Sequence, residues 1–132
     1  DAPFDKIITI QTFETDGKLK LLRGYAGGGF QVNDEFVIGS IILHPREIHT
    51  CPVSDASQLS HDLFEPHLNL VKPDMVLIGV GGNPTHLYKP IRDYFKQQAI
   101  GVDIMSTSSA CRTWNVLLSE GRQALSCLIA IP

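Results

Sequence analysis

Two segments carry the residue types with which a backbone can hold an anion. Gly79-Val80-Gly81-Gly82-Asn83-Pro84-Thr85 is glycine-rich, and glycines let main-chain N–H groups approach a negative charge closely. Its spacing is neither the dinucleotide fingerprint nor a Walker loop with its Lys and Ser/Thr. The structural alternative is a tight strand-to-helix turn. Ser106-Thr107-Ser108-Ser109-Ala110-Cys111-Arg112-Thr113 is rich in hydroxyls and opens a predicted helix, where capping accounts for one or two of them. Arg112 is less ordinary, because a cation in the first turn opposes the helix dipole. A bound anion, or a carboxylate such as Asp103 or Glu120, would compensate it, the alternative being a solvated Arg on the outer face. Arg112, Asn115 and Ser119 form a polar stripe on the wheel of this helix. The candidate ligand-binding residues are therefore Gly79, Gly81, Gly82, Thr107, Cys111, Arg112, Thr113 and Asn115. Together they would line a crevice between the Gly79–Gly82 turn and the helix that starts near Ser108.

Cys111 is the one thiol with a route to reactivity. A helix N-terminus and a neighbouring arginine both depress a thiol pKa, yet Cys111 shares a face with Trp114 and Leu118, which points to a small buried hydrophobe. No second cysteine lies nearby in sequence to resolve an oxidised sulfur. His44, His49 and Cys51, in a predicted loop with Arg46 and Glu47, have the types that suit zinc. Their arrangement matches no common ligand spacing and lacks a fourth partner, so no metal site and no cofactor are assigned. His61, His67 and His86 are expected on the surface. No carboxylate pair for acid/base work stands out, and the strand-to-helix junction lacks the Gly-x-Ser-x-Gly elbow.

These residues need elements to position them. The β-branched run Ile7–Ile10, the apolar Leu19–Leu22, Phe30-Gln31-Val32, Phe36-Val37-Ile38 and Ser40–Leu43 make the N-terminal third β-rich. Asn33-Asp34 between two apolar runs is a hairpin signal, since both residues tolerate the positive φ of a tight turn. His44-Pro45 should end the strand begun at Ser40. Ser54, Asp55 and Ser57 offer N-caps for a helix carrying Leu59, Leu63 and Phe64, which Pro66 should end or kink. Asp74–Val80 reads as a strand covered on both faces. A helix opening at Pro90 carries Leu87, Ile91, Tyr94 and Phe95 on one side, and Gly101–Met105 is the next strand. Ser108–Glu120 is a helix with Ala110, Trp114, Leu117 and Leu118 inward and Gly121 as its left-handed terminator. Leu125–Ile131 closes the chain as a buried strand. Two successive crossover units imply parallel strands, so the fold class is α/β: a β-rich N-terminal layer packed with a mostly parallel sheet and its crossover helices.

Size and charge narrow the classes. A chain of 132 residues with 43% hydrophobic and 19% charged residues fits a single globular domain, residues 1–132, that needs no covalent staple. The formal charge of −3 argues against nucleic acid, which calls for a basic stripe. No apolar run approaches the ~20 residues of a membrane span, and the first residues lack the features of a signal peptide. Cys51, Cys111 and Cys127, with no closely spaced pair, suit a reducing compartment. Cytoplasm is the expected location, with a mitochondrial matrix after processing as the alternative.

The stretch Ala110-Cys111-Arg112-Thr113-Trp114-Asn115-Val116-Leu117-Leu118, followed by Glu120-Gly121-Arg122 and Leu128-Ile129-Ala130-Ile131-Pro132, carries a family resemblance. It resembles the small domains of unknown function that include the third assembly factor of mitochondrial complex I and the adipogenesis-associated Mth domain protein. Gly29-Phe30 with Val32, Gly39-Ser40, Pro73, Leu77–Gly81 and Gly101–Met105 extend the match along the chain. The resemblance implies one three-layer domain of mixed β and α and brings no catalytic residues. Ser106 stands where many relatives carry Asp, so no argument needing a carboxylate there applies. The leading expectation is a non-enzymatic domain that binds a protein partner of unknown identity, in an assembly-related role. The alternatives are an enzyme or sensor holding a small anion in the crevice, and a thiol-dependent redox protein using Cys111.

Overall fold

The computed structural model describes residues 17–85 and 88–132. The run Ile7–Ile10, and His86 and Leu87, lie outside the described residues. Strands β1 (Leu22–Ala26), β2 (Gly29–Val32) and β3 (Glu35–Ile38) form an antiparallel three-stranded sheet. Its turns follow from their residues. Gly27 and Gly28 both have positive φ between β1 and β2, and Asn33 adopts φ 50° in the β2–β3 hairpin, the left-handed region that Asn tolerates. Strands β4 (Ile41–His44) and β5 (Glu47–Thr50) form a second hairpin. Two short 3₁₀ turns, Ala56–Gln58 and His61–Leu63, lead into α1 (Glu65–Val71). Then come β6 (Met75–Gly79), α2 (Lys89–Gln97), β7 (Gly101–Met105), α3 (Thr107–Ser119) and β8 (Ala124–Leu128).

The larger sheet runs β5-β4-β8-β6-β7. Its β8, β6 and β7 are parallel, as the crossover pattern requires, and β4 and β5 extend it antiparallel. Alternation along each strand divides the apolar residues between two cores. Ile41, Leu43, Ile48, Leu77, Ala124 and Leu128 face α3 and the three-stranded sheet, while Ile42, Val76, Ile78, Leu125 and Cys127 face α1 and α2. The molecule is thus a single α/β domain of three layers, with every residue of the central β8 buried.

Three local expectations need correction. Glu47–Thr50 is a strand, not part of a loop, because the chain reverses at Pro45-Arg46 and pairs back onto β4. Pro66 begins a helix and does not end one: it sits in the first turn of α1, where its missing N–H costs nothing. The segment before it, capped by Asp55 and Gln58, makes only 3₁₀ turns. Of Leu19–Leu22, only Leu22 belongs to a strand.

Helix α3 fixes the small sheet to the large one. Trp114 is 0% exposed, and its indole N–H donates to the Lys20 carbonyl at 2.7 Å. Asn115 Nδ2 donates to the Leu22 carbonyl at 2.7 Å and its Oδ1 accepts from the Leu22 N–H at 2.8 Å, so the side chain satisfies both backbone groups of one strand residue. Truncating Trp114→Ala leaves a large cavity at the junction of the two sheets and is expected to cost about 3–5 kcal/mol. Chemical denaturation with two spectroscopic probes measures this; a loss below 1 kcal/mol would show that the small sheet does not rely on the indole.

Candidate functional site

The Gly79–Gly82 turn and the start of α3 are neighbours at the carboxyl end of the parallel strands, as the crossover pattern predicts. What joins them is a set of internal hydrogen bonds. Thr107, 0% exposed, accepts at Oγ1 from the Gly81 N–H at 2.8 Å and donates the same hydroxyl to the Ile129 carbonyl at 2.7 Å. The Thr107 N–H returns to the Gly81 carbonyl, the Val80 N–H goes to Met105 and the Ile129 N–H to Gly79. A Cβ on Gly79 would lie 2.9 Å from the Thr107 Cα and 3.1 Å from the Ala110 Cβ, so this glycine serves helix-to-strand packing. Ser106 caps α3, its Oγ accepting from the Ser109 N–H at 3.3 Å and its carbonyl accepting the Ala110 N–H. The donors that an anion would need at Val80, Gly81, Thr107, Ser109 and Ala110 are therefore already engaged by the protein itself.

The remaining candidates separate from that turn. Cys111, Arg112 and Asn115, with Ser108, line a surface hollow whose other wall is Leu22, Arg23, Gly24 and Tyr25 of β1. Arg112 is exposed and donates to Ser109 Oγ at 3.3 Å. Among the described residues no carboxylate lies within ion-pair distance of it, so neither Asp103 nor Glu120 plays the compensating part. Thr113 Oγ1 meets Met105 Sδ at 3.5 Å. Burial pushes the Cys111 thiol up to about 11 against the smaller opposing influence of Arg112, which keeps it protonated at neutral pH and removes the thiolate that redox chemistry at this position needs.

Among the described residues, the most concentrated group of titratable side chains lies elsewhere. On one face of the β4–β5 hairpin, His44 stands opposite Glu47 and beside His49, and α1 lays His67 over them. Ring centroids are 4.4 Å apart for His44–His49 and 5.0 Å for each ring with His67. His44 Nε2 and His67 Nδ1 are 2.8 Å apart. One oxygen of Glu47 reaches His44 Nδ1 at 3.1 Å and His49 Nε2 at 2.9 Å. Burial, and then the neighbouring His49 and His67, hold His44 down to about 4, while the hydrogen bond from His49 lowers Glu47. His67 is half-buried and also lowered, by burial first, so its expected place on the open surface is wrong. Cys51 does not join this group. Its sulfur lies 3.8 Å from that of Cys127, both buried, a pairing across 76 positions that sequence spacing does not show.

A family model described as a protein of unknown function (DUF498/DUF598) matches residues 22–129. The chain belongs to this family. A DUF498/DUF598 relative from Drosophila melanogaster, named NADH dehydrogenase [ubiquinone] 1 alpha subcomplex assembly factor 3, is 34% identical over 126 residues, which cover 92% of this chain. The match spans 64% of that protein's length. The crystal structure of a Bartonella henselae protein, described as an outer membrane protein, superposes with a TM-score of 0.78 at 29% identity, covering 88% of this chain and 98% of its own. A Bordetella pertussis protein described as an Mth938-like domain shares the fold, with a TM-score of 0.71 at 21% identity over 83% of this chain and 85% of its own. The resemblance read from Ala110–Leu118 thus holds in both sequence and fold.

The histidine group gives this DUF498/DUF598 domain a defined acid response. The folded state keeps His44 neutral, whereas the unfolded chain takes up the proton near the ordinary value of 6.5. Stability from this residue is fully present above pH 6.5 and is lost as pH falls toward 4, by on the order of 3 kcal/mol. Urea unfolding at pH 7.5 and 4.5 in the presence of a chelator measures the loss; it should shrink in His44→Gln, and equal loss in the variant would assign the response to other groups.

Proposed function

We propose that the chain is a non-enzymatic protein-binding domain that acts in the assembly of a larger complex. The relative named an assembly factor supports the setting, and the outer face of the three-stranded sheet supports the binding. Phe36 and Ile38 of β3 are 46% and 52% exposed. They sit opposite Gln31 and Gly29 on the face turned away from the core. Adjacent exposed apolar side chains on a flat strand face are the surface on which a partner buries area. Because both side chains are about half exposed and lie outside the buried cluster, their replacement by a charge leaves the core residues in place. Three buried free thiols suit a reducing compartment, and we place the action in a bacterial cytoplasm or, for a processed form, a mitochondrial matrix. Affinity capture of the tagged chain from its native cell is expected to retain specific proteins that the doubly substituted Phe36→Asp, Ile38→Asp chain loses, at unchanged melting temperature. Equal retention by both chains would remove this face from the reading.

A small anion is the second reading, and the paired arginines of the β1–α3 hollow favour it. Arg23 and Arg112 line its two sides, whereas the Val80 and Gly81 N–H groups of the glycine-rich turn are engaged within the protein. Inorganic phosphate at millimolar concentration should then raise the melting temperature by mass action, and Arg112→Ala should abolish the rise while the protein stays folded. A phosphate response that survives in Arg112→Ala, or no response in the parent chain, would end this reading.

A further inference from the structure

We propose that His44, His49 and His67 form a binding site for one divalent ion of the zinc, cobalt or nickel class, with Glu47 orienting the imidazoles. The inference is independent of the assembly reading. One ring nitrogen from each of these histidines lies within 4.8 Å of those of the other two. Tetrahedral zinc with nitrogens at about 2.0–2.1 Å sets ligand atoms roughly 3.3–3.4 Å apart. The 2.8 Å between His44 Nε2 and His67 Nδ1 must open by about half an ångström to reach that spacing, a shift that small side-chain rotations supply.

The surroundings prepare the rings for a cation. Glu47, through the same oxygen, meets His44 Nδ1 and His49 Nε2. A carboxylate there accepts the N–H of His44 and leaves Nε2 as the lone-pair nitrogen facing His67, the carboxylate–histidine arrangement that holds metal ligands in place. Imidazole donors select zinc, copper, nickel and cobalt over magnesium and calcium. The ligands come from β4, β5 and α1, which are rigid supports on two sides. Access exists from both flanks: His67 lines a hollow with Thr50, Ser60 and Asp62, and His44 and Glu47 line another with Leu70 and Gln123. Three protein nitrogens with open flanks leave a coordination position for water or a partner's side chain.

The other metal-compatible group among the described residues, His61, Asp62 and Glu65, lies on the exposed surface and serves as the control. The chelator-treated full chain is titrated with zinc chloride by calorimetry, and with cobalt chloride by visible absorption. One equivalent of zinc should bind, raise the melting temperature by several degrees and, for cobalt, produce the intense absorption of a tetrahedral ion. His67→Gln, which changes a half-buried residue and leaves the core intact, should abolish all three signals, and Glu47→Gln should weaken binding tenfold to a hundredfold. The doubly substituted His61→Gln, Asp62→Asn chain should bind as the parent does. The proposal is overturned by absence of stoichiometric zinc uptake, by uptake that persists in His67→Gln, by uptake lost with His61 and Asp62, or by an equal response to magnesium.

Discussion

Everything on the α3 side of the sheet depends on how closely that helix can approach β6. The missing side chain of Gly79 lets the first turn of α3 settle against the strand, and the buried Thr107 hydroxyl then ties the Gly81 turn to the exit of β8 at Ile129. A hydroxyl buried this deeply must find both a donor and an acceptor, and here it finds both on backbone groups of two different segments. With its N-terminus pinned, α3 carries Trp114 and Asn115 to fixed positions. These two side chains determine where the segment Lys20–Leu22, and so the whole three-stranded sheet, must lie. A small antiparallel sheet has little stability alone, and this one obtains its core by packing Phe30, Val32 and Val37 against the same helix and the larger sheet.

The same economy of donors explains why a glycine-rich turn after a buried strand is not by itself an anion site. In a phosphate-binding loop the N–H groups converge on empty space. Here the Gly81 N–H goes to a threonine hydroxyl and the Val80 N–H to the Met105 carbonyl. The chemistry-bearing side chains are displaced to two other places: the arginines beside β1, and the imidazoles between α1 and the β4–β5 hairpin. Each is assembled from segments far apart in the chain, and each lies on a different side of the central sheet.

Much of the fold was legible because its signals were local. Asn33-Asp34 announced a hairpin, Pro90 a helix start and Gly121 a helix end, while the apolar runs at Asp74–Val80, Gly101–Met105 and Leu125–Ile131 gave the parallel strands, the last of which in fact spans Ala124–Leu128. The errors also have physical causes. His44-Pro45 does end a strand, but the stretch beyond it, read as a loop, is not one: Glu47-Ile48-His49-Thr50 alternates as an antiparallel partner should, with Ile48 buried and its neighbours toward the other face. Reading that alternation would have placed Glu47 and His49 on the face of His44. Pro66 was ambiguous between ending one helix and opening the next, and only packing decides. The roles of Asn115 and Thr107 were beyond reach, since their partners, Leu22 and Ile129, are set by tertiary register and by no local pattern.

The position of β8 bears on how the chain acquires its shape during synthesis. Of the strands in the larger sheet, the last to leave a ribosome is the middle one, hydrogen-bonded to β4 on one side and β6 on the other. Until residues 124–128 emerge, β4 and β6 each present an unsatisfied edge and neither apolar core can close. Pairing Ile41 with Leu128 also closes a loop of most of the chain, a contact order that slows folding. The nascent domain therefore spends its synthesis with two aggregation-competent edges open. A chain cut before Ala124 lacks the keystone of its sheet.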